Sequence, residues 1–261
     1  MKCSARPWRL AGMLAGVAAL LTQGGCADNN QSFYVVANAQ PDNSCLVSAQ
    51  EGGPTRSSGV LDLLVGTSYN LYPLLKNVMS SSLTMHGFNE ADGRLEAHNV
   101  YVKKAIVDLS YDPNIMLSDS TAKHREITIS GTVGVSGIAA ITVELIDAQL
   151  VARLNSKIPQ RSETEPRPGG GIVADVQIEG VMGDGTAISS NVFSFPLRVC
   201  RGCLLDYPLD ADNPATTELD CSMQGEVEPV VPCRMGQDEP VDCRLCKRII
   251  SQEEQDQCEP M

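Results

Sequence analysis

The chain is poor in aromatic residues, in histidine and in positive charge. Aromatics make up 4% of it, and its one tryptophan, Trp8, lies near the N-terminus. A core built from this composition is aliphatic, and once the leader described below is removed no indole is left as a sugar-stacking platform. The three histidines, His86, His98 and His124, fall in separate segments without the H-x-x-x-H spacing that puts two imidazoles on one helix face, so surface or packing roles are expected for them. Lys and Arg number 20 against 32 Asp and Glu, a net charge of -12. Such a field repels nucleic acid and anionic lipid surfaces. The longest apolar run, Leu10 to Leu21, falls short of the roughly 20 residues that a resident membrane helix takes.

That run is flanked by Lys2, Arg6 and Arg9 before it and by Thr22-Gln23-Gly24-Gly25-Cys26 after it. A charged head, an apolar middle and a small-residue exit are the parts of a secretory signal peptide, which assigns residues 1–25 to a leader. Its loss takes three basic residues and no acidic ones, moving the net charge from -12 to -15. The segment Gln23-Gly24-Gly25-Cys26 resembles the lipobox of bacterial lipoproteins, in which the Cys thiol receives a diacylglyceryl group and becomes the new N-terminus. The resemblance implies lipidation at Cys26, a lipid anchor in the membrane and, because Ala27 follows the Cys, an outer-membrane location. An ordinary signal peptide cut after Ala27 is the alternative. Residues 26–32 would then be a short polar tether.

Period-two alternation dominates the next segments. Phe33 to Asn38 is rich in β-formers. Gln50 to Gly59 is a loop by its glycines and Pro54. From Leu61 to Leu71 apolar and polar residues alternate, as expected of one half-buried strand. Leu95 to Tyr111 alternates too, with a slip at Lys103 and Lys104 that predicts a bulge or break. Glu126 to Val135 is a clear strand, and Ile141 to Ile146 extends the sheet. Asp147 heads Leu150, Val151 and Leu154 at helical spacing and suits an N-cap. Lys157 to Gly171, with three prolines and three successive glycines, reads as a long exposed loop and a protease site. Ile172 to Ile178 and Phe193 to Val199 form a returning pair around Gly183-Asp184-Gly185. Pro196 has no N–H for a ladder, so its strand is an edge or bulges there.

The pattern predicts a mainly β protein: an antiparallel immunoglobulin-like β-sandwich over residues 33–199, with one short helix. Residues 200–261 differ, with seven cysteines, 14 acidic and five basic residues and six prolines. A segment of that composition lacks a core of its own and is expected to be a disulfide-rich tail packed on the sandwich.

Cysteine arithmetic sharpens this. Cys3 departs with the leader and Cys26 is acylated or removed, leaving Cys45 and the tail residues Cys200, Cys203, Cys221, Cys233, Cys243, Cys246 and Cys258. Seven is odd, and Cys45 makes the number even, so four disulfides are expected with one tying the N-terminal region to the tail. The pairing within the tail stays open. Cys200-x-x-Cys203 and Cys243-x-x-Cys246 have the look of a zinc ribbon, but an oxidising compartment and the two cysteines between them disfavour it. No thioredoxin-like βαβ unit follows either motif.

Two further patterns carry little. Gly134-Val135-Ser136-Gly137 lacks the second spacer of a nucleophile elbow and reads as a turn. Asp210-Ala211-Asp212-Asn213 is a fragment of a calcium loop without its Gly or closing Glu. Neither a catalytic residue nor a cofactor or metal ligand is assigned. The whole arrangement of leader, lipobox, β body and cysteine-rich tail resembles predicted lipoproteins of myxobacteria-like Gram-negative bacteria. The expected function is a non-enzymatic cell-envelope lipoprotein, a structural or protein-interaction module with an envelope protein as partner. The alternative is a redox or metal-handling protein acting through the C-terminal cysteines. A third reading places a small apolar ligand between the sheets.

Overall fold

The computed structural model describes residues 32–79, 95–165 and 167–260. The expected leader and tether, residues 1–31 with Cys26, and His86 lie outside the described residues. The rest is mainly β, with thirteen strands and three short α-helices.

The largest sheet contains β2 (Gly59–Asp62), β5 (Val100–Tyr111), β6 (His124–Val133), β9 (Gly169–Met182), β10 (Ala187–Ser189) and β11 (Phe193–Cys200). Its order is β2-β11-β9-β5-β6, with β10 folded back on β9. A second sheet joins β1 (Phe33–Asn38), β4 (Pro73–Asn77) and β7 (Ile138–Ala140), and a two-stranded ribbon joins β3 (Tyr69–Leu71) to β8 (Val143–Ile146). Phe33 and Leu75 of the second sheet, Leu71 and Ile146 of the ribbon, and Val107, Val176 and Phe195 of the large sheet share one apolar core. Most pairs are antiparallel. The parallel pairing of β2 with β11, and of β12 (Leu205–Asp206) with β13 (Val241–Asp242), departs from the wholly antiparallel expectation. A chain that leaves β2 and returns through eight intervening strands can arrive in either direction, which alternation does not reveal.

Local chemistry explains each element. In β5 the ladders to both β6 and β9 slip between Val102 and Lys104. This bulge restores inward facing, so that Val102 and Ala105 are both buried. Gly180 lies opposite, where a Cβ would come within 2.5 Å of the Tyr101 carbonyl oxygen. Asp147 caps α2 (Ala148–Asn155), its carboxylate accepting from the Leu150 N–H at 2.8 Å. Arg125 of β6 pins this corner by donating to the Leu145 carbonyl at 2.8 Å and pairing with Asp147. Pro196 sits just before the parallel pairing of β11 with β2 begins at Leu197. Contrary to expectation the strand is neither an edge nor bulged there: β11 lies between β2 and β9, its register with β9 runs unbroken through the Pro196–Val173 pair, and Pro196 has no β2 residue opposite it.

Several expectations are corrected. Leu61 to Leu71 is not one strand: β2 ends at Asp62, a turn follows, and β3 starts at Tyr69. The turn is tight because Gly66 packs against Gly236, whose Cβ would fall 2.4 Å from the Gly66 nitrogen. One short helix becomes three, with α1 (Ser120–Lys123) capped by Asp119 and α3 (Cys243–Ile249) capped by Asp242. The loop expected over Lys157 to Gly171 is only partly a loop. Ile158 and Arg161 are buried, and Gly169 to Gly171 are the first residues of β9, paired with Cys200 to Arg198. The three glycines mark close packing: a Cβ on Gly169 would meet the Val199 carbonyl at 2.4 Å, and one on Gly170 would meet the Ile115 side chain at 2.9 Å.

The tail finds its core by borrowing. Leu205, Val241, Leu245, Cys246 and Cys258 pack with Leu64 and Val65 from the turn after β2. Arg244 organises the inside of the tail. Its guanidinium pairs with Asp242 at 2.7 Å and Asp210 at 3.2 Å and donates to the Gln224 carbonyl at 2.8 Å.

Candidate functional site

The eight cysteines lie in four pairs. Cys45 meets Cys233, Cys200 meets Cys203, Cys221 meets Cys243 and Cys246 meets Cys258, with Cα separations of 5.2, 5.9, 6.2 and 5.8 Å. All lie within the range that disulfides span. The two C-x-x-C motifs therefore differ. Cys200 and Cys203 face each other, whereas Cys243 and Cys246, on α3, turn to Cys221 and Cys258. The four thiols of a zinc ribbon are not brought together.

The candidate calcium residues are also engaged elsewhere. Asp210 pairs with Arg244, and Asp212 accepts from the Asp220 N–H at 2.9 Å. Ser136 lies in a turn with φ 52°, its hydroxyl donating to the Met79 carbonyl. His124 Nδ1 lies 2.7 Å from the Asp108 carboxylate on the outer face of the sheet, and the His98 carbonyl accepts from Asn77. A groove of about 410 Å³ is lined by Ser110, Val173, Pro196 and Arg198, among others. Those four are outward-facing positions of β5, β9 and β11, so the groove lies on the sheet's outer surface and not between sheets.

One constellation combines chemistry with burial. Asp62, at the end of β2, is fully buried, and its carboxylate lies within 4.8 Å of the sulfurs of Cys200 and Cys203. Oδ1 accepts from the N–H groups of Leu64 at 3.0 Å and Gly202 at 2.7 Å, and Oδ2 accepts from Leu204 at 2.9 Å. Gly202 is required. Its φ is 72°, and a Cβ there would collide with the Arg161 side chain at 2.3 Å. Burial pushes the Asp62 carboxyl above its ordinary value, outweighing the three N–H donors and the positive charge of Arg161. Arg161 is itself held by the Gln257 side-chain oxygen, by the Gln257 carbonyl and by the Glu259 carbonyl.

With the sulfurs joined to each other and the carboxylate occupied by three N–H donors, the trio offers a cation no free thiolate. As it stands, the carboxylate ties the first loop of the tail to the end of β2. The C-x-x-C spacing was legible in the sequence. Asp62, 138 residues upstream of Cys200, carried no signal beyond a polar residue in an alternating run.

No protein-family model matches the chain, and no curated protein matches it. Among the described residues no helix is long and apolar enough to cross a membrane.

Proposed function

We propose that the protein is a non-enzymatic cell-envelope lipoprotein, anchored in the outer membrane through a lipid on Cys26. Its immunoglobulin-like sandwich serves as a structural or protein-interaction module whose partner is an envelope protein. The observation that carries this reading is the cross-linking of the tail to the body. Cys45 and Cys233, 188 residues apart, are paired, and three further cysteine pairs lie in the tail and at its junction with β11. Such a density of paired cysteines suits a protein kept outside the reducing cytoplasm. It also gives a rigid surface that costs little ordering entropy on binding.

Metabolic labelling with a fatty acid tests the anchor. The wild type is expected to carry label and the Cys26→Ala variant none. An unlabelled wild type ends the lipoprotein reading. Cross-linking on intact cells then tests the partner, which should be captured by the anchored protein and lost when the tail pairs are reduced. The redox or metal-handling reading is favoured by one observation, the meeting of Asp62 with Cys200 and Cys203. Four or more free thiols in the denatured, unreduced protein would give it precedence.

A further inference from the structure

We propose that Cys200 and Cys203 form a thiol–disulfide exchange site, reduced by an external dithiol, with Asp62 as the hydrogen-bond acceptor and proton relay for the reduced pair. Three features of the site lead there.

The first is loop length. The four pairs close separations of 3, 12, 22 and 188 residues. Chain entropy holds a short loop least, so the Cys200–Cys203 bond is the one whose opening releases the least constraint. Its backbone stays in place without it. The Cys200 carbonyl accepts from the Leu63 N–H at 2.8 Å, and the Gly202 and Leu204 N–H groups remain on Asp62.

The second is access. Cys200 is fully buried, while Cys203 is half-buried. An incoming thiolate reaches the Cys203 sulfur and makes Cys200 the leaving group.

The third is an open acceptor position. A carboxylate offers about four acceptor positions, and three N–H donors occupy Asp62, leaving a fourth on a carboxylate that lies within 4.8 Å of both sulfurs. A disulfide has no hydrogen to offer there. A thiol does, and a rotation that brings a sulfur from within 4.8 Å to bonding distance of the carboxylate gives the dithiol state a hydrogen bond that the disulfide lacks. The raised proton affinity of the buried carboxyl suits a relay.

The exchange balances. One thiol of the reductant ionises, and its thiolate attacks Cys203 Sγ; the Cys200–Cys203 bond breaks and its electron pair leaves on Cys200 Sγ. Cys200 takes up the released proton through Asp62. The second thiol of the reductant, deprotonated, attacks its own partner sulfur in the mixed disulfide, and Cys203 leaves as a thiolate that takes the second proton. The protein gains two hydrogens and the dithiol becomes a disulfide.

The test equilibrates the full mature protein in buffers of reduced and oxidised dithiothreitol, followed by acid quench, alkylation and peptide mapping. The Cys200–Cys203 pair is expected to open at a reductant ratio about tenfold or more below that for any other pair, with the β circular dichroism unchanged. In reduced and oxidised glutathione, whose mixed disulfide does not close on itself as that of dithiothreitol does, Cys200→Ser is expected to carry an adduct on Cys203, formed as the Cys203 thiolate attacks oxidised glutathione and releases one reduced glutathione, whereas Cys203→Ser leaves the buried Cys200 without adduct. Asp62→Asn, which presents a donor in place of the acceptor, is expected to lower the dithiol to disulfide ratio about tenfold. Simultaneous opening of all four pairs, earlier opening of another pair, or an adduct on Cys200 would overturn the assignment. The wild-type order and the adduct position decide the matter even if Asp62→Asn fails to fold.

Discussion

The Tyr69 hydroxyl donates a hydrogen bond of 2.9 Å to the carboxylate of Asp238, a residue 169 positions further along the chain. The other carboxylate oxygen accepts from the Val60 N–H at 2.7 Å, and the Asp238 N–H returns a bond to the Val60 carbonyl. Beside it, Leu61 bridges to Gln237, whose side chain exchanges two hydrogen bonds with the Asn70 backbone, and the Asp62 N–H donates to the Gly236 carbonyl. Residues 236–238 thus cover the outer edge of β2, an edge that would otherwise offer unpaired backbone groups to another chain.

Tyr69→Phe tests this seam. The substitution keeps the ring in the core against Phe195, at a centroid distance of 6.0 Å, and removes only the donor. Asp238 keeps Val60 and the more distant Arg56, at 3.6 Å, with one oxygen less satisfied. Chemical denaturation should show a loss of about 1–3 kcal/mol. An unchanged midpoint would mean the hydroxyl contributes nothing to the seam.

Acid titration gives a second outcome. Burial raises the carboxyls of both Asp62 and Asp238 above the ordinary aspartate value of 3.8, despite their N–H donors and the nearby Arg161 and Arg56. Above that value the unfolded chain has released protons that the folded chain still holds. The contribution of these two groups to stability therefore falls as pH rises from 3.8 through their folded values, and levels off beyond. Asp119, Asp184 and Asp220 are shifted the opposite way, so the slope must be read as a difference between proteins. Stability of the wild type minus that of Asp62→Asn, measured in denaturant from about pH 4 to pH 7, is expected to decline with rising pH. A flat or rising difference would contradict the raised carboxyl.

The bond between Cys45 and Cys233 has the longest loop of the four. Replacing both residues by serine should lower stability by up to about 5 kcal/mol on the chain-entropy account, native strain reducing the figure. The loss should appear first as protease sensitivity in residues 234–239, because the seam would then hold by hydrogen bonds alone. Equal protease resistance in the variant would show the seam to be self-sufficient.

Limited proteolysis with a broad-specificity enzyme is expected to cut first at Ser162 to Glu165 and around Val227, Val230 and Val231, all exposed. Gly169 to Gly171, inside β9, should resist. Fragments should stay together until the cysteine pairs are reduced, since Cys221 is paired with Cys243 across the second cut. Early cleavage within β9 would contradict its assignment.

Some of this was legible beforehand for a physical reason: local patterns report local geometry. Alternation in Glu126 to Val133 and Ile172 to Ile178 marks strands because pleating sends successive side chains to opposite faces. Asp147 three residues before Leu150 marks a helix start because its side chain reaches that N–H. The slip at Lys103 and Lys104 marks a bulge because an extra residue must reset the facing. The glycines of 169–171 misled for the converse reason. A triplet of glycines signals freedom in isolation, and only the approach of Val199 and Ile115 shows that it answers crowding.

From the sequence alone came the β character, the aliphatic core, the even number of cysteines from Cys45 to Cys258, and the expectation that Cys45 joins the tail. These follow from composition, periodicity and parity, which need no knowledge of what lies opposite. Only the tertiary structure decided that Cys45 meets Cys233, that Cys200 turns to Cys203 while Cys243 and Cys246 part, and that Asp62 sits beneath the first pair. Those outcomes depend on which segments share a boundary. The parallel arrival of β11 beside β2 is what carries the tail to Asp62, and nothing within either strand specifies the other as its neighbour.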